Sequence, residues 1–280
     1  VQDTAFYEKK IQQLFAPHAP AMVMGVLNIT TDSFFDGGEY VSENQWIRRA
    51  LEMQTQGADI IDIGACSTRP GAIQVSFEDE LDRIVKAVEL IRKNVPNVLI
   101  SVDTYRAKVA EAAVKSGAHI INDISGGTMD VDMFSTIARL KVPYVLMHIQ
   151  GTPQTMQQKP VYDDVVEDVL AFFNKKIQEL RKLGVSKIIV DPGFGFGKTI
   201  EHNYQLMNEL NRFGALDLPL LVGVSRKSMI YKVLNTSPAE SLNGTTVLNT
   251  IALQKGARIL RVHDVREAKE AVELIKQMNH

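Results

Sequence analysis

Eight short apolar runs alternate with stretches of helical spacing, and this alternation constrains the fold of the 280-residue chain more than any other feature. The runs lie at 22–27, 59–64, 98–102, 119–121, 144–147, 188–190, 220–224 and 258–260. Helix-like segments follow them at 45–56, 77–93, 106–115, 131–140, 163–183, 202–212, 241–255 and 265–278. Short β-branched runs bounded by turn formers read as strands buried on both faces. Strands and helices alternating at this spacing imply parallel βαβ units. Eight units in about 250 residues predict an α/β fold, a (β/α)8 barrel of parallel strands. Residues 4–15 predict a short helical extension ahead of the first strand. The competing architecture is an open doubly wound sheet, but no Gly-x-Gly-x-x-Gly turn follows the first run. The sequence has no boundary, low-complexity stretch or repeat beyond the barrel unit, so one domain over 1–280 is expected.

Composition excludes several classes. Hydrophobic residues make up 45% of the chain and charged ones 23%, enough for a large core. A net charge of −2 argues against a nucleic-acid or membrane-surface role. The lone cysteine, Cys66, rules out an internal disulfide framework and a multi-cysteine metal site. A reducing, cytoplasmic setting is the expectation. No apolar stretch has the length of a membrane helix.

The chemistry concentrates where the runs end. In KIIVDPGFGFGK, residues 187–198, a buried strand stops in Asp191, Pro192 breaks the ladder, and three glycines open a turn. A resemblance to a phosphate-binding P-loop fails, because Pro192 stands where that motif needs glycine. Polar residues recur at the other run ends: Asn28, Asp62, Asp103, Asn122, Asp123, His148, Lys227, Arg261 and His263. In a barrel these ends share one face, the face that carries active sites. Asp62, Asp123 and His148 read as structural groups. Asp103, Asn122 and Asp191 offer acceptors, while Lys227, Arg261 and His263 offer donors and positive charge. Neither zinc spacing nor a Gly-x-Ser-x-Gly elbow is present. Such a set suits a flat heterocycle and an anion, with catalysis by positioning and charge stabilisation.

Six segments carry a family resemblance: VMGVLNITTDSFFDGG, DIIDIGACSTRPGA, SVDTYRAKVAEAAVKSGAHIINDISGG, IIVDPGFGFGK, LLVGVSRKS and GARILRVHDV. In these the chain resembles the dihydropteroate synthases, pterin-binding TIM-barrel transferases of folate biosynthesis, over essentially its whole length. The resemblance implies a homodimer that uses magnesium. It implies condensation of a dihydropterin pyrophosphate with p-aminobenzoate. It assigns the pterin to Asp103, Asn122, Met147, Asp191 and Lys227. It assigns the pyrophosphate to Thr68, Arg69, Arg261 and His263, and magnesium to Asn28. The p-aminobenzoate pocket falls to Phe34 or Phe35, Pro70, Lys227 and Ser228. Asp103, Asp191, Lys227 and Arg69 would carry the catalysis, through a cationic pterin methylene and no covalent intermediate.

The loops at 28–40 and 66–72 are expected to be poorly ordered without ligand and to close over the pyrophosphate. Two rivals share the pterin contacts. A pterin-dependent methyltransferase has no use for a pyrophosphate site or the SRKS segment. A dead pterin-binding paralogue should lack Asn28, Thr68, Arg69 or His263, and all four are present.

Overall fold

The computed structural model describes residues 4–17, 19–29, 39–66, 75–152, 155–156 and 160–278, apart from the side chains of 39–42. The expected loops at 28–40 and 66–72, with Phe34, Phe35, Thr68, Arg69 and Pro70, lie mostly outside these residues. Eight parallel strands form the centre: β1 (Met22–Asn28), β2 (Ile60–Gly64), β3 (Leu99–Asp103), β4 (Ile120–Asp123), β5 (Tyr144–Met147), β6 (Ile188–Asp191), β7 (Leu221–Val222) and β8 (Ile259–Val262). Their hydrogen-bonded order is β6-β5-β4-β3-β2-β1-β8-β7. A parallel bridge between Val190 and Leu220 joins the two outer strands, so the sheet curls into a barrel.

The helices are α1 (Thr4–Phe15), α2 (Glu39–Thr55), α3 (Phe77–Asn94), α4 (Ala107–Ser116), α5 (Met133–Leu140), α6 (Val165–Lys182), α7 (Ile200–Asn208), α8 (Ser228–Tyr231), α9 (Leu242–Gln254) and α10 (Val265–Met278). Local signals set their ends. Ser76 caps α3 by accepting from the Asp79 amide, and Asp164 caps α6 by accepting from Val166 and Glu167. Gly117 ends α4 in the left-handed region.

Three elements differ from the sequence expectation. The second helix begins at Glu39 rather than residue 45, so the polar first loop is shorter. The segment expected as one helix at 202–212 divides into α7 and a 3₁₀ turn, Leu210–Leu216. The four-residue α8 was not anticipated, because SMIY is too short to show a period.

A pleated strand alternates faces, and that rule sorts the core into two layers. One set of residues, among them Ile61, Ile100, Ile121, Leu146, Val190, Val222 and Leu260, packs outward against the helices. The other set, Met22, Met24, Ile60, Leu99, Ile120, Val145, Ile189, Leu221 and Ile259, fills the barrel's lower interior. Tyr7 and Leu14 of α1 join this inner cluster, with Phe6, Ile11 and Phe15 packed on it. The N-terminal helix therefore plugs the bottom of the barrel and leaves the carboxyl-terminal mouth for chemistry.

Candidate active site

Counting by two up each strand from that apolar floor gives the next inward positions. They are Val26, Asp62, Ser101, Asn122, Met147, Asp191 and Arg261, with Gly223 just beyond β7. One step higher come Gly64, Asp103, Ser225 and His263. The register sets Asp62 beside Ser101, Asp103 beside Asn122, and Met147 beside Asp191. The mouth is thus the same set of strands as the floor, two residues on, with most of the apolar side chains replaced by polar ones.

Arg261 is the hub of one side. Its Nε donates to Asp62 Oδ2 at 2.7 Å and its Nη2 to Asp103 Oδ2 at 3.1 Å. Asn122 Nδ2 donates to the same Asp62 oxygen at 3.0 Å. These bonds orient the groups and leave acceptors over. Among the described residues Asp62 Oδ1 and Ser101 Oγ are buried without a partner, and Asn122 spends only its amide nitrogen on Asp62. Burial holds the Asp103 carboxyl up at about 7, with Arg261 pulling it down and Asp62 pushing it further up. For Arg261 itself burial opposes the charge, but Asp62 and Asp103 outweigh it and hold the guanidinium above its ordinary value.

Asp191 anchors the other side. Its Oδ1 accepts from the Gly193 amide at 2.8 Å, and no hydrogen bond within the described residues uses Oδ2. Burial raises this carboxyl too, against the pull of Lys227. Lys227 Nζ donates to the Phe194 carbonyl at 2.6 Å and lies 4.7 Å from the centre of the Phe196 ring. Burial lowers it to about 8, while Asp191 supports its charge. Gly193 is needed here: its φ is +71°, and a Cβ would strike the His148 carbonyl.

Lys198 fixes the loop between them. This buried ammonium meets His148 Nδ1 at 2.9 Å, the Phe196 carbonyl at 3.0 Å and the Gly193 carbonyl at 3.1 Å. Burial brings it down to about 7, with Asp191 acting the other way.

Asp123 and His148 keep to the scaffold, as the sequence suggested. Asp123 accepts from the Ser125 and Gly127 amides and the Tyr144 hydroxyl. His148 meets Lys198. Asp62 is buried as expected of a structural group, but it faces inward and orients Arg261 and Asn122, a part that the sequence did not show. Lys198, Ser101 and Ser225 were also missed. Of the expected residues, Asp103, Asn122, Met147, Asp191, Lys227, Arg261 and His263 converge at the mouth, with Asn28 at the end of β1 and Ser228 opening α8.

The oxygen chemistry that magnesium needs can be tested at Asn28. A Cβ placed on Gly64 would lie 3.8 Å from Asn28 Oδ1 and 3.9 Å from Asp103 Oδ2. Glycine keeps that acid-flanked gap open, and an amide oxygen at its edge fits a hard cation that takes few protein ligands. Among the described residues no group of three or more His, Cys, Asp or Glu could hold a metal.

An eight-stranded parallel barrel with carboxylates, an amide and a lysine converging at its carboxyl-terminal mouth defines an α/β-barrel enzyme that grips a polar, flat ligand. A family model described as pterin binding enzyme matches residues 24–263. The chain is 46% identical over 256 residues to the dihydropteroate synthase of Escherichia coli strain K12, covering 91% of this chain and 90% of that one. Among solved structures it is similar to the Yersinia pestis dihydropteroate synthase with a sulfonamide drug complex. That match has a TM-score of 0.87 and 43% identity, over 93% of this chain and 94% of that one. It is also similar to the Xanthomonas albilineans enzyme in complex with 7,8-dihydropteroate, with a TM-score of 0.83 and 34% identity over 93% and 94%. The chain belongs to the pterin-binding enzyme family, among its dihydropteroate synthases.

Proposed function

We propose that the chain condenses 6-hydroxymethyl-7,8-dihydropterin pyrophosphate with p-aminobenzoate, giving 7,8-dihydropteroate and pyrophosphate. The observation that carries this reading is the set of unspent acceptors at the mouth. Among the described residues, Asp103, Asn122 and Asp191 each use one polar atom on the protein, which leaves an oxygen that a ligand would take. A pterin's amino-pyrimidinone edge presents adjacent N–H donors, which such oxygens accept. Lys227 would donate to the ring's acceptors, and Met147 would lie against its flat face.

Charge accounts for the chemistry. The carbon–oxygen bond to pyrophosphate breaks, and its electron pair leaves with the anion. The pterin methylene becomes cationic, and Asp103 and Asp191 stabilise that delocalised charge. The lone pair of the p-aminobenzoate amine forms the new carbon–nitrogen bond, and the ammonium then gives up a proton. Arg261 and His263, with Thr68 and Arg69 from the second loop, would hold the leaving pyrophosphate, and Asn28 would hold magnesium beside it. When bound, magnesium would neutralise charge on the leaving group. Phe34 or Phe35, Pro70, Lys227 and Ser228 would complete the p-aminobenzoate pocket. Arg261 would serve both sides in this reading: it pairs with Asp62 and Asp103 beside the pterin acceptors and would also reach the anion. A homodimer belongs to the same reading on the strength of the family resemblance, a single domain on the absence of a boundary in the sequence, and a cytoplasmic setting on the lone Cys66.

Incubation of the protein with the pterin pyrophosphate, p-aminobenzoate and magnesium should yield dihydropteroate and pyrophosphate in equal amounts. Pterin binding without product would leave a binding protein and remove the synthase reading.

A further inference from the structure

The segment after β7 and the segment after β8 are joined residue against residue. Arg226 meets Asp264 through two bonds, Nε to Oδ2 at 2.9 Å and Nη2 to Oδ1 at 2.5 Å. Its neighbour Ser225 meets the neighbour of Asp264, His263. Ser225 Oγ accepts from the His263 amide at 3.2 Å and lies 3.1 Å from His263 Nδ1. Arg226 holds a φ of +57°, an uncommon conformation for a residue with a side chain. Its amide donates to Thr245 Oγ1 at 3.1 Å, which ties the strained turn to α9. The His263 carbonyl is held in turn by Arg49 at 3.0 Å. The ring is therefore positioned from several elements at once.

We propose that Ser225 is a positioning residue that holds neutral His263 in the tautomer with its proton on Nε2, so that an N–H donor faces the anion side of the mouth. The argument is a count of hydrogens. A serine hydroxyl has one proton to give and two lone pairs to receive. At Ser225 one lone pair takes the His263 amide. No other partner of this hydroxyl is found among the described residues, and the side chain is 5% exposed. If the second lone pair took an Nδ1 proton instead, the hydroxyl proton would be left buried with no acceptor among the described residues, so the hydroxyl gives its proton to a bare Nδ1. In a neutral imidazole the remaining proton then sits on Nε2. Nε2 lies on the far side of the ring from Ser225, and no hydrogen bond within the described residues uses it. The ring is neutral at physiological pH, because burial and then Arg261 bring it down to about 4. Asp264 opposes that shift, and Arg226 and Lys227 add to it. The other tautomer would present a lone pair to an incoming phosphate oxygen, which repels it.

This inference rests on the reading of His263 as a pyrophosphate contact, and the test separates the two. The whole protein is labelled with ¹⁵N-histidine, and long-range ¹H–¹⁵N correlations are recorded at pH 7.5. The His263 signals among the six histidines are identified by their loss in His263→Gln. A bare Nδ1 and a protonated Nε2 are expected in the wild-type protein. Ser225→Ala should shift the ring toward a mixture of tautomers and weaken magnesium-pyrophosphate binding about fivefold to tenfold. Ser225→Thr should restore both signals and affinity, and the affinity for a pterin without pyrophosphate should hold in all three. A protonated Nδ1 in the wild-type spectrum overturns the inference whichever way the titrations fall. A wild-type ring signature in Ser225→Ala overturns it as well. If His263→Gln and His263→Ala both bind pyrophosphate as wild type does, the anion role of His263 fails, while the tautomer still answers for Ser225.

Discussion

Ile189 and Asp191 stand two residues apart on β6 and face the same barrel interior, one in the floor and one in the mouth. Ile189 is fully buried among other strands' apolar side chains and the residues of α1. Asp191 is also buried, but it holds a carboxyl that burial pushes toward the protonated form. The same contrast repeats on β3, where Leu99 lies below and Asp103 above, and on β8, where Ile259 lies below Arg261. The lower layer gains free energy from area removed from water. The upper layer spends some of it on desolvated charges and on unpartnered atoms such as Asp62 Oδ1. A ligand with complementary donors would recover that cost, so the mouth is built for a complex and the floor for the free protein.

The sharpest way to break this contrast is to damage the floor alone. Ile189→Ala removes a fully buried side chain from a layer sealed by α1. It should lower the unfolding free energy by about 2–5 kcal/mol, measured by urea denaturation. The affinity of the molecules that remain folded for a simple pterin should stay within about twofold of wild type. A large loss of affinity at equal folded fraction would mean that floor and mouth are one coupled unit.

The complementary change is Asp191→Asn. The Gly193 amide already donates to Oδ1, so the asparagine carbonyl takes that bond and its NH₂ turns inward. A donor then faces the donor edge of the pterin. Pterin affinity should fall by about 1–3 kcal/mol, read by calorimetry. The unfolding free energy should change far less than in Ile189→Ala, because no cavity forms and a buried charge is removed. Unchanged pterin affinity with an intact fold would take Asp191 out of the site.

The two layers were not equally legible in the sequence. The barrel itself was, because eight apolar runs separated by helical spacing leave few alternatives. The run ends also pointed to Asp103, Asn122, Asp191, Lys227 and Arg261. Parity was not legible. Parallel strands are buried on both faces and read as continuous apolar runs, so IIDIG does not say whether Ile60 or Ile61 faces inward. That is why Asp62, on the inward parity, and Asp123, on the outward one, looked alike. The signal that separates them is a second strand: once Asp103 is taken as inward, the register places Gly64 and therefore Asp62 on the same side. Lys198 stayed hidden for a different reason. Its acceptors are the Gly193 and Phe196 carbonyls and the ring and carbonyl of His148 just after β5, and no local pattern announces them.

A smaller effect tests whether the mouth itself divides into a pterin side and an anion side. His263→Ala removes one neutral N–H donor. Magnesium-pyrophosphate and pterin-pyrophosphate affinities should each fall by about 0.5–1.5 kcal/mol, and the affinity for a pterin without pyrophosphate should hold. Equal weakening of all three ligands would mean that His263 maintains the shape of the whole mouth.

The smallest expected effect is a flat line. A histidine ordinarily titrates near neutrality, so residue type alone would give His263 a modest pH dependence. In the folded protein burial and Arg261 bring this ring down to about 4. The sign follows from where the proton goes. The folded value lies below the unfolded one, so the unfolded chain takes up the proton first as pH falls. The stability held by the neutral ring is therefore present above about pH 6.5 and is lost as pH drops toward 4. A bound anion favours the charged ring, so any gain in pyrophosphate affinity from its protonation also belongs to the acid side. Between pH 7 and 8.5 the ring is neutral throughout. The ratio of pyrophosphate affinities of wild type and His263→Gln should then stay constant across that window, since the ligand's own titration cancels in the ratio. It should rise only in more acidic buffer. A severalfold change in the ratio between pH 7 and 8.5 would mean that the ring titrates near neutrality, and that the mouth is wetter around His263 than its contact with Ser225 implies.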